Sequence, residues 1–117
     1  MRNANNRKPT PMTLEKITEL MLAPEKLIDP QQINVLSSYL SGYISDLEEE
    51  LNERNYQCSV RWGELREAVK SDAKADRALE LTTEYREREK QKLLLGKLKR
   101  FRADLRDRFQ VVTNIRH

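Results

Sequence analysis

From Gln31 to His117 the chain runs 87 residues without a proline, and all four prolines (Pro9, Pro11, Pro24, Pro30) lie ahead of that stretch. A proline inside a helix removes a hydrogen bond and clashes with the preceding turn, at about 3 kcal/mol or more. Its absence over so long a span leaves room for very long helices. Only three glycines occur in 117 residues, with 35% charged and 38% hydrophobic side chains, which suits helices better than a compact sheet. The expectation is one all-α domain: two long antiparallel helices, as a helical hairpin or coiled coil, preceded by a short N-terminal helix.

Residues 1–12 have no apolar periodicity and carry Arg2, Arg7 and Lys8, so they read as a disordered basic tail ahead of a single helical domain over 13–117. Thr13 can cap a short helix over 13–22 with Leu14, Ile17, Leu20 and Met21 on one face. Ala23-Pro24 ends it, because the residue before proline is pushed out of the helical region. Asp29-Pro30-Gln31-Gln32 is a start signal: an N-cap, a proline at the first helical position, and a glutamine placed to complete a capping box.

The first long helix, about 30–70, carries Ile33, Leu36, Leu40, Ile44, Leu47, Leu51, Cys58, Trp62, Leu65 and Val69 at steps mostly of three and four. Gly42 and Gly63 within it mark either close helix approach or local weakness, and Asn52 and Asn55 make a break near Asn55–Cys58 conceivable. A turn at Lys70-Ser71-Asp72 leads to a second long helix, about 73–112. Its stripe is Ala75, Leu79, Thr82, Tyr85, Leu94, Leu98, Phe101, Leu105, Phe109 and Val112, interrupted by a run without apolar residues from Arg86 to Lys92.

The net charge of +3 conceals a gradient. Residues 13–58 hold three positive and nine negative side chains, whereas residues 59–117 hold sixteen positive and ten negative. A bend near residue 72 places Asp46, Glu48, Glu49, Glu50 and Glu53 opposite Lys90, Lys92, Lys97 and Lys99. Each exposed pair is worth only about 0–1 kcal/mol, but the sign pattern favours this register, as flanking charges do in coiled coils.

Signatures of enzyme chemistry are missing. The single histidine, His117, ends the sequence, and Cys58, on the apolar stripe with no histidine near it, reads as a buried structural thiol, with a reactive thiol the alternative. The sequence has no C-x-x-C, no H-E-x-x-H and no phosphate-cradling glycine loop. Glu48, Glu49 and Glu50 point around a helix and cannot converge on a cation, so neither a metal nor another cofactor is expected. No apolar run exceeds three residues in the long stretch, the first residues lack a secretory pattern, and one cysteine allows no intrachain disulfide. The reading is a cytoplasmic, non-enzymatic protein that avoids the membrane. A two-helix rod has little interior for its mass, so help is expected from the N-terminal helix, from a second copy or from another partner.

The binding candidate is the C-terminal half of the second helix. Eleven basic and four acidic residues lie between Arg86 and Arg116, and Lys97, Lys99, Arg100, Arg102, Arg106 and Arg108 interleave with Phe101 and Phe109. Such a face can follow a phosphate backbone, with binding that weakens steeply with salt. It can also meet an acidic protein, or simply solubilise the helix and pair with the acidic one. Trp62 reads as hairpin core or as an anchor for a partner, and Tyr39, Tyr43 and Tyr56 lie partly off the stripe.

Trp62-x-x-Leu65-Arg66, the run K-S-D-A-K-A-D-R from Lys70 to Arg77, and then Glu80 and Thr82 resemble a group of small helical proteins of tailed phages and prophages. The opening L-E-K-I-T-E-L-M followed by P-E-K-L is similar too, so the resemblance spans about 13–108. It implies an accessory role in DNA recombination or replication, beside annealing or single-strand-binding proteins, and it supplies no catalytic residues. Ser71, Asp72, Ala75, Asp76 and Arg77 would then be either the bend itself, fixed by capping and a local Asp–Arg pair, or a docking site for a partner.

Overall fold

The computed structural model describes residues 13–116, with side chains through residue 114. Within that range the chain is all-α. Helix α1 spans Leu14–Leu22, α2 Pro30–Val69, α3 Asp72–Glu80 and α4 Thr83–Arg116, with a 3-10 turn at Pro24–Lys26 between the first two and no strand. The basic tail expected over 1–12, and His117, lie outside the described residues.

The helix starts follow local chemistry. Thr13 accepts from the Lys16 amide at 3.1 Å, and Asp29 accepts from the Gln31 amide at 3.0 Å with Pro30 at the first helical position. The reciprocal bond expected from Gln32 is not formed among the described residues. Ser71 caps α3 through the Lys74 amide at 3.4 Å. Helix α2 is unbroken through Asn55–Cys58 and stops at Lys70, whose φ of 57° is left-handed. A non-glycine residue there costs about 1–2 kcal/mol. The stop is held by the Lys70 amide on the Arg66 carbonyl and by the ion pair of Arg66 with Asp72 across the bend.

The single second helix expected over 73–112 is instead two helices. Thr82, expected on the apolar stripe, is the reason. Its hydroxyl donates to the Leu79 carbonyl at 2.6 Å and accepts from the Tyr85 amide at 3.2 Å, ending one helix and opening the next. The intervening α3 folds onto α2: Ala75 is fully buried, and the Trp62 indole N–H donates to Asp76 Oδ1 at 2.8 Å. Trp62 is therefore half-buried against α3.

Contacts between α2 and α4 run with chain directions opposed, since Gln91 meets Arg54 and Glu50 while Lys99 meets Glu48. The main core lies toward the end of this pair that carries α1. Ile33, Leu36, Leu40 and Ile44 of α2 close on Leu95, Leu98, Phe101, Leu105 and Val112 of α4, with Ile17 and Leu27 laid across them. Gly42 and Gly63 have no atom within 4 Å of where a Cβ would stand. They serve no close approach, and their roughly 1 kcal/mol helix cost against alanine is plain local weakness.

Where the sequence runs without apolar residues, the structure places a polar layer. Gln91, only 8% exposed, donates to Glu50 at 2.8 Å and to the Leu47 carbonyl at 3.4 Å, and accepts from Arg54 Nε at 3.3 Å. Beyond that layer the apolar contacts are sparse: Cys58 and Ala75 are buried, with Trp62 and Leu79 partly so. The molecule measures 64 Å along its length and 18 Å through its thinnest direction. With helices about 10–12 Å across, it is barely two helices thick, so one helix face is often all that separates core from solvent.

Candidate functional site

The six basic residues singled out from the sequence all fall on α4, but they do not form one face. Lys99 pairs with Glu48 of α2 at 3.0 Å. It is the one cross-helix ion pair formed by the acidic run among the described residues. Of its other expected partners, Lys92 turns to Glu89 within α4 at 3.3 Å, and Lys90 and Lys97 make no ion pair there. A single exposed pair is too weak to set the register; the buried apolar stripe and the Gln91 layer do that.

Arg108 has structural work. Its Nε donates to the Leu27 carbonyl at 2.8 Å and its Nη2 to the Glu25 carbonyl at 3.0 Å. The 3-10 turn has few neighbours of its own to satisfy these oxygens, and the guanidinium fork reaches two at once. Hydrogen bonds to charged groups contribute about 1.5–3 kcal/mol. Arg108→Met keeps the aliphatic stem and removes the fork. It is expected to lower stability by about 2 kcal/mol and to speed hydrogen exchange in α1 before α2, as read by mass spectrometry. Unchanged exchange in α1 would rule out this tether.

The remaining four split into two pairs. Lys97 and Arg100 are exposed beside Met21 of α1, with Phe101 and Asp104 lining the same shallow depression of about 110 Å³. Arg102 and Arg106, one turn apart, sit on the opposite flank of α4. They line a groove of about 230 Å³ between α4 and α2, whose α2 wall is Asn34, Ser37 and Ser41 and whose floor is Ile33, Leu105 and Phe109. No carboxylate lines that groove, and none of the four basic side chains is ion-paired among the described residues. Phe101 is buried in the core and unavailable for stacking on a base; Phe109 is only partly buried.

The α2 wall of the groove was absent from the sequence reading. Asn34, Ser37 and Ser41 recur at helical spacing on the flank of α2, and that periodicity was the available signal. Short polar residues on a helix flank are too common to single out until α4 is placed opposite them.

Several of the chain's other titratable groups are engaged by close neighbours. Burial raises the Glu89 carboxyl, but hydrogen bonds from Lys92 and Arg88, and their positive charge, outweigh it and hold the group below its ordinary value. Stability from this cluster is present above the ordinary carboxylate range and is lost as pH falls through the lowered value. It is small because the group is open to water. Arg88 also stacks over the Tyr85 ring at 5.1 Å. Cys58 is buried, next to a cavity of about 230 Å³ shared with Ser59, Trp62, Leu79 and Arg88. At the bend, Ser71 caps α3, Asp72 pairs with Arg66, Asp76 accepts from Trp62 and Ala75 is buried, while Arg77 makes no ion pair among the described residues. Among the described residues no group of three or more histidine, cysteine, aspartate and glutamate side chains gathers as a metal site, and no helix is long and apolar enough to cross a membrane. Comparison of the chain with protein-family models, with curated proteins and with solved structures finds no match, so the chemistry of the α4 flank and its groove is the basis on which a function is argued.

Proposed function

We propose that this chain is a non-enzymatic accessory protein of phage DNA recombination or replication, acting in the host cytoplasm. In this reading α2 and α4 form an antiparallel hairpin scaffold, and basic residues of α4 contact DNA or a DNA-bound protein. The carrying observation is that Lys97, Arg100, Arg102 and Arg106 make no ion pair among the described residues, whereas Lys99 is taken up by Glu48. The stretch of α2 that faces Arg102 and Arg106 presents Asn34, Ser37 and Ser41 and no carboxylate, so those cations are left for an outside partner. The phage context rests on the resemblance of the Leu14–Met21 and Lys70–Arg77 segments.

The test is fluorescence anisotropy with labelled single- and double-stranded oligonucleotides across a salt series. Three to four phosphate contacts predict a slope of log affinity on log salt of about −2 to −4, hence a loss of roughly 20- to 150-fold between 50 and 200 mM salt. Absence of binding at the lower concentration rejects direct contact with DNA. A second reading, an adaptor that oligomerises or docks on a host or virion protein, is favoured by Val35, Tyr39, Tyr56 and Val60, which are exposed along α2. Sedimentation across concentration separates the two, since the adaptor reading requires association without nucleic acid.

A further inference from the structure

The groove between α2 and α4 has the composition of a phosphate seat. Its polar walls are Arg102 and Arg106 on one side and Asn34, Ser37 and Ser41 on the other. None of these five side chains makes a hydrogen bond or ion pair with another described residue. The two serine hydroxyls do not bond back to the carbonyl four residues earlier, as Thr18 does to Leu14 at 2.9 Å, which leaves them open to an outside partner. Both guanidiniums offer several N–H donors and no acceptor, and the hydroxyls and the amide can donate as well. With no carboxylate in the lining, the groove faces solvent with two cationic forks and three neutral groups able to donate, around an apolar floor that includes Phe109.

We infer that this groove seats one phosphodiester group of a nucleic-acid strand, held by the Arg102 and Arg106 forks from α4 and by Ser37, Ser41 and Asn34 from α2. This rests on the reading of the chain as a DNA-contacting protein and gives it a defined contact. Arg102 and Arg106 stand one helical turn apart, about 5–6 Å between their Cβ atoms, close enough to converge on the oxygens of one group. Forked donors match phosphate geometry where a lysine offers only a point charge. Lys97 and Arg100, on the other flank, supply attraction without this geometry.

The test uses the full chain and a short single-stranded oligonucleotide, with helicity of each variant checked by circular dichroism. The double variant Ser37→Ala/Ser41→Ala keeps every charge and favours the helix. It is expected to weaken binding roughly tenfold while the salt slope stays unchanged. Arg102→Lys/Arg106→Lys, which keeps charge but loses the forks, is expected to do the same. Lys97→Gln/Arg100→Gln should instead flatten the slope by about 1.4 on a single strand. Amide shifts of the wild-type chain on addition of inorganic phosphate provide the second arm. Oligonucleotide binding that ignores the serine pair and the lysine exchange overturns the groove and leaves the DNA reading standing. Phosphate shifts at Ser37 and Ser41 without any oligonucleotide binding overturn the nucleic-acid source for both. Neither signal overturns the groove and direct DNA contact together.

Discussion

Leu98→Ala lowers the stability of the fold by about 2–5 kcal/mol, whereas Leu93→Ala, five residues earlier on the same helix, stays within about 0.5 kcal/mol. Leu98 is 0% exposed and Leu93 63% exposed, so the pair measures which face of α4 is covered. Truncation at Leu98 removes a fully buried side chain from the core cluster built by α2, α4 and Ile17 and leaves a cavity that a rod two helices thick has little material to refill. Because a domain of this size typically holds only about 5–15 kcal/mol in all, such a loss is a large share of the total. Urea unfolding followed at 222 nm reads it as a lowered midpoint at unchanged slope. Equal costs at the two positions would mean that α4 does not present this face to α2.

Gln91→Glu is the second large effect, and it is pH-dependent. The new carboxylate would stand where Gln91 Nε2 now lies 2.8 Å from a Glu50 oxygen and 3.4 Å from the Leu47 carbonyl. Two donor contacts become acceptor against acceptor in a buried layer, and Arg54 on the other side offsets only part of that. At neutral pH the expected loss is about 3 kcal/mol, since an unsatisfied buried charge exceeds the usual penalty for an unmade hydrogen bond. Burial and the neighbouring carboxylate raise the folded-state pKa of the introduced group. The folded state therefore binds its proton first, and the penalty shrinks as pH falls toward that raised value. Gln91→Leu, by contrast, keeps volume and lets Glu50 and Arg54 return to water, so it is expected to change stability by only about 1 kcal/mol. Denaturant midpoints of the three proteins between pH 5 and 8 check this. A pH-independent glutamate variant would show that position 91 is open to solvent.

Arg108, Lys99 and the Arg102–Arg106 pair look alike in the sequence, as cations spaced along one basic helix. One ties down a turn that precedes it by about 80 positions, one neutralises a glutamate of α2, and two line a groove. The leucine run shows the same limit: periodicity nominated Leu94, while packing buries Leu95 and leaves Leu94 at the margin. A helix of 34 residues drifts enough in azimuth that neighbouring positions exchange roles along it. The sequence-based register expected several ion pairs between α2 and α4, and the one formed owes its place to the apolar stripe.

What the sequence by itself determined lies within reach of one helical turn: the all-α class, the caps at Thr13 and Asp29, a cap at Ser71 or Asp72, and the stop ahead of them. Those depend on side chains three or four positions apart, which a string of residues contains in full. The break at Thr82 was of the same local kind and was overlooked because a threonine on an apolar stripe also reads as a helix interior. Only the tertiary structure decided which cations stay free, that Trp62 faces α3, and that Asn34, Ser37 and Ser41 confront Arg102 and Arg106. Those outcomes depend on where a second helix comes to rest, and that is settled by burying apolar surface collectively, a non-directional force that no single residue encodes.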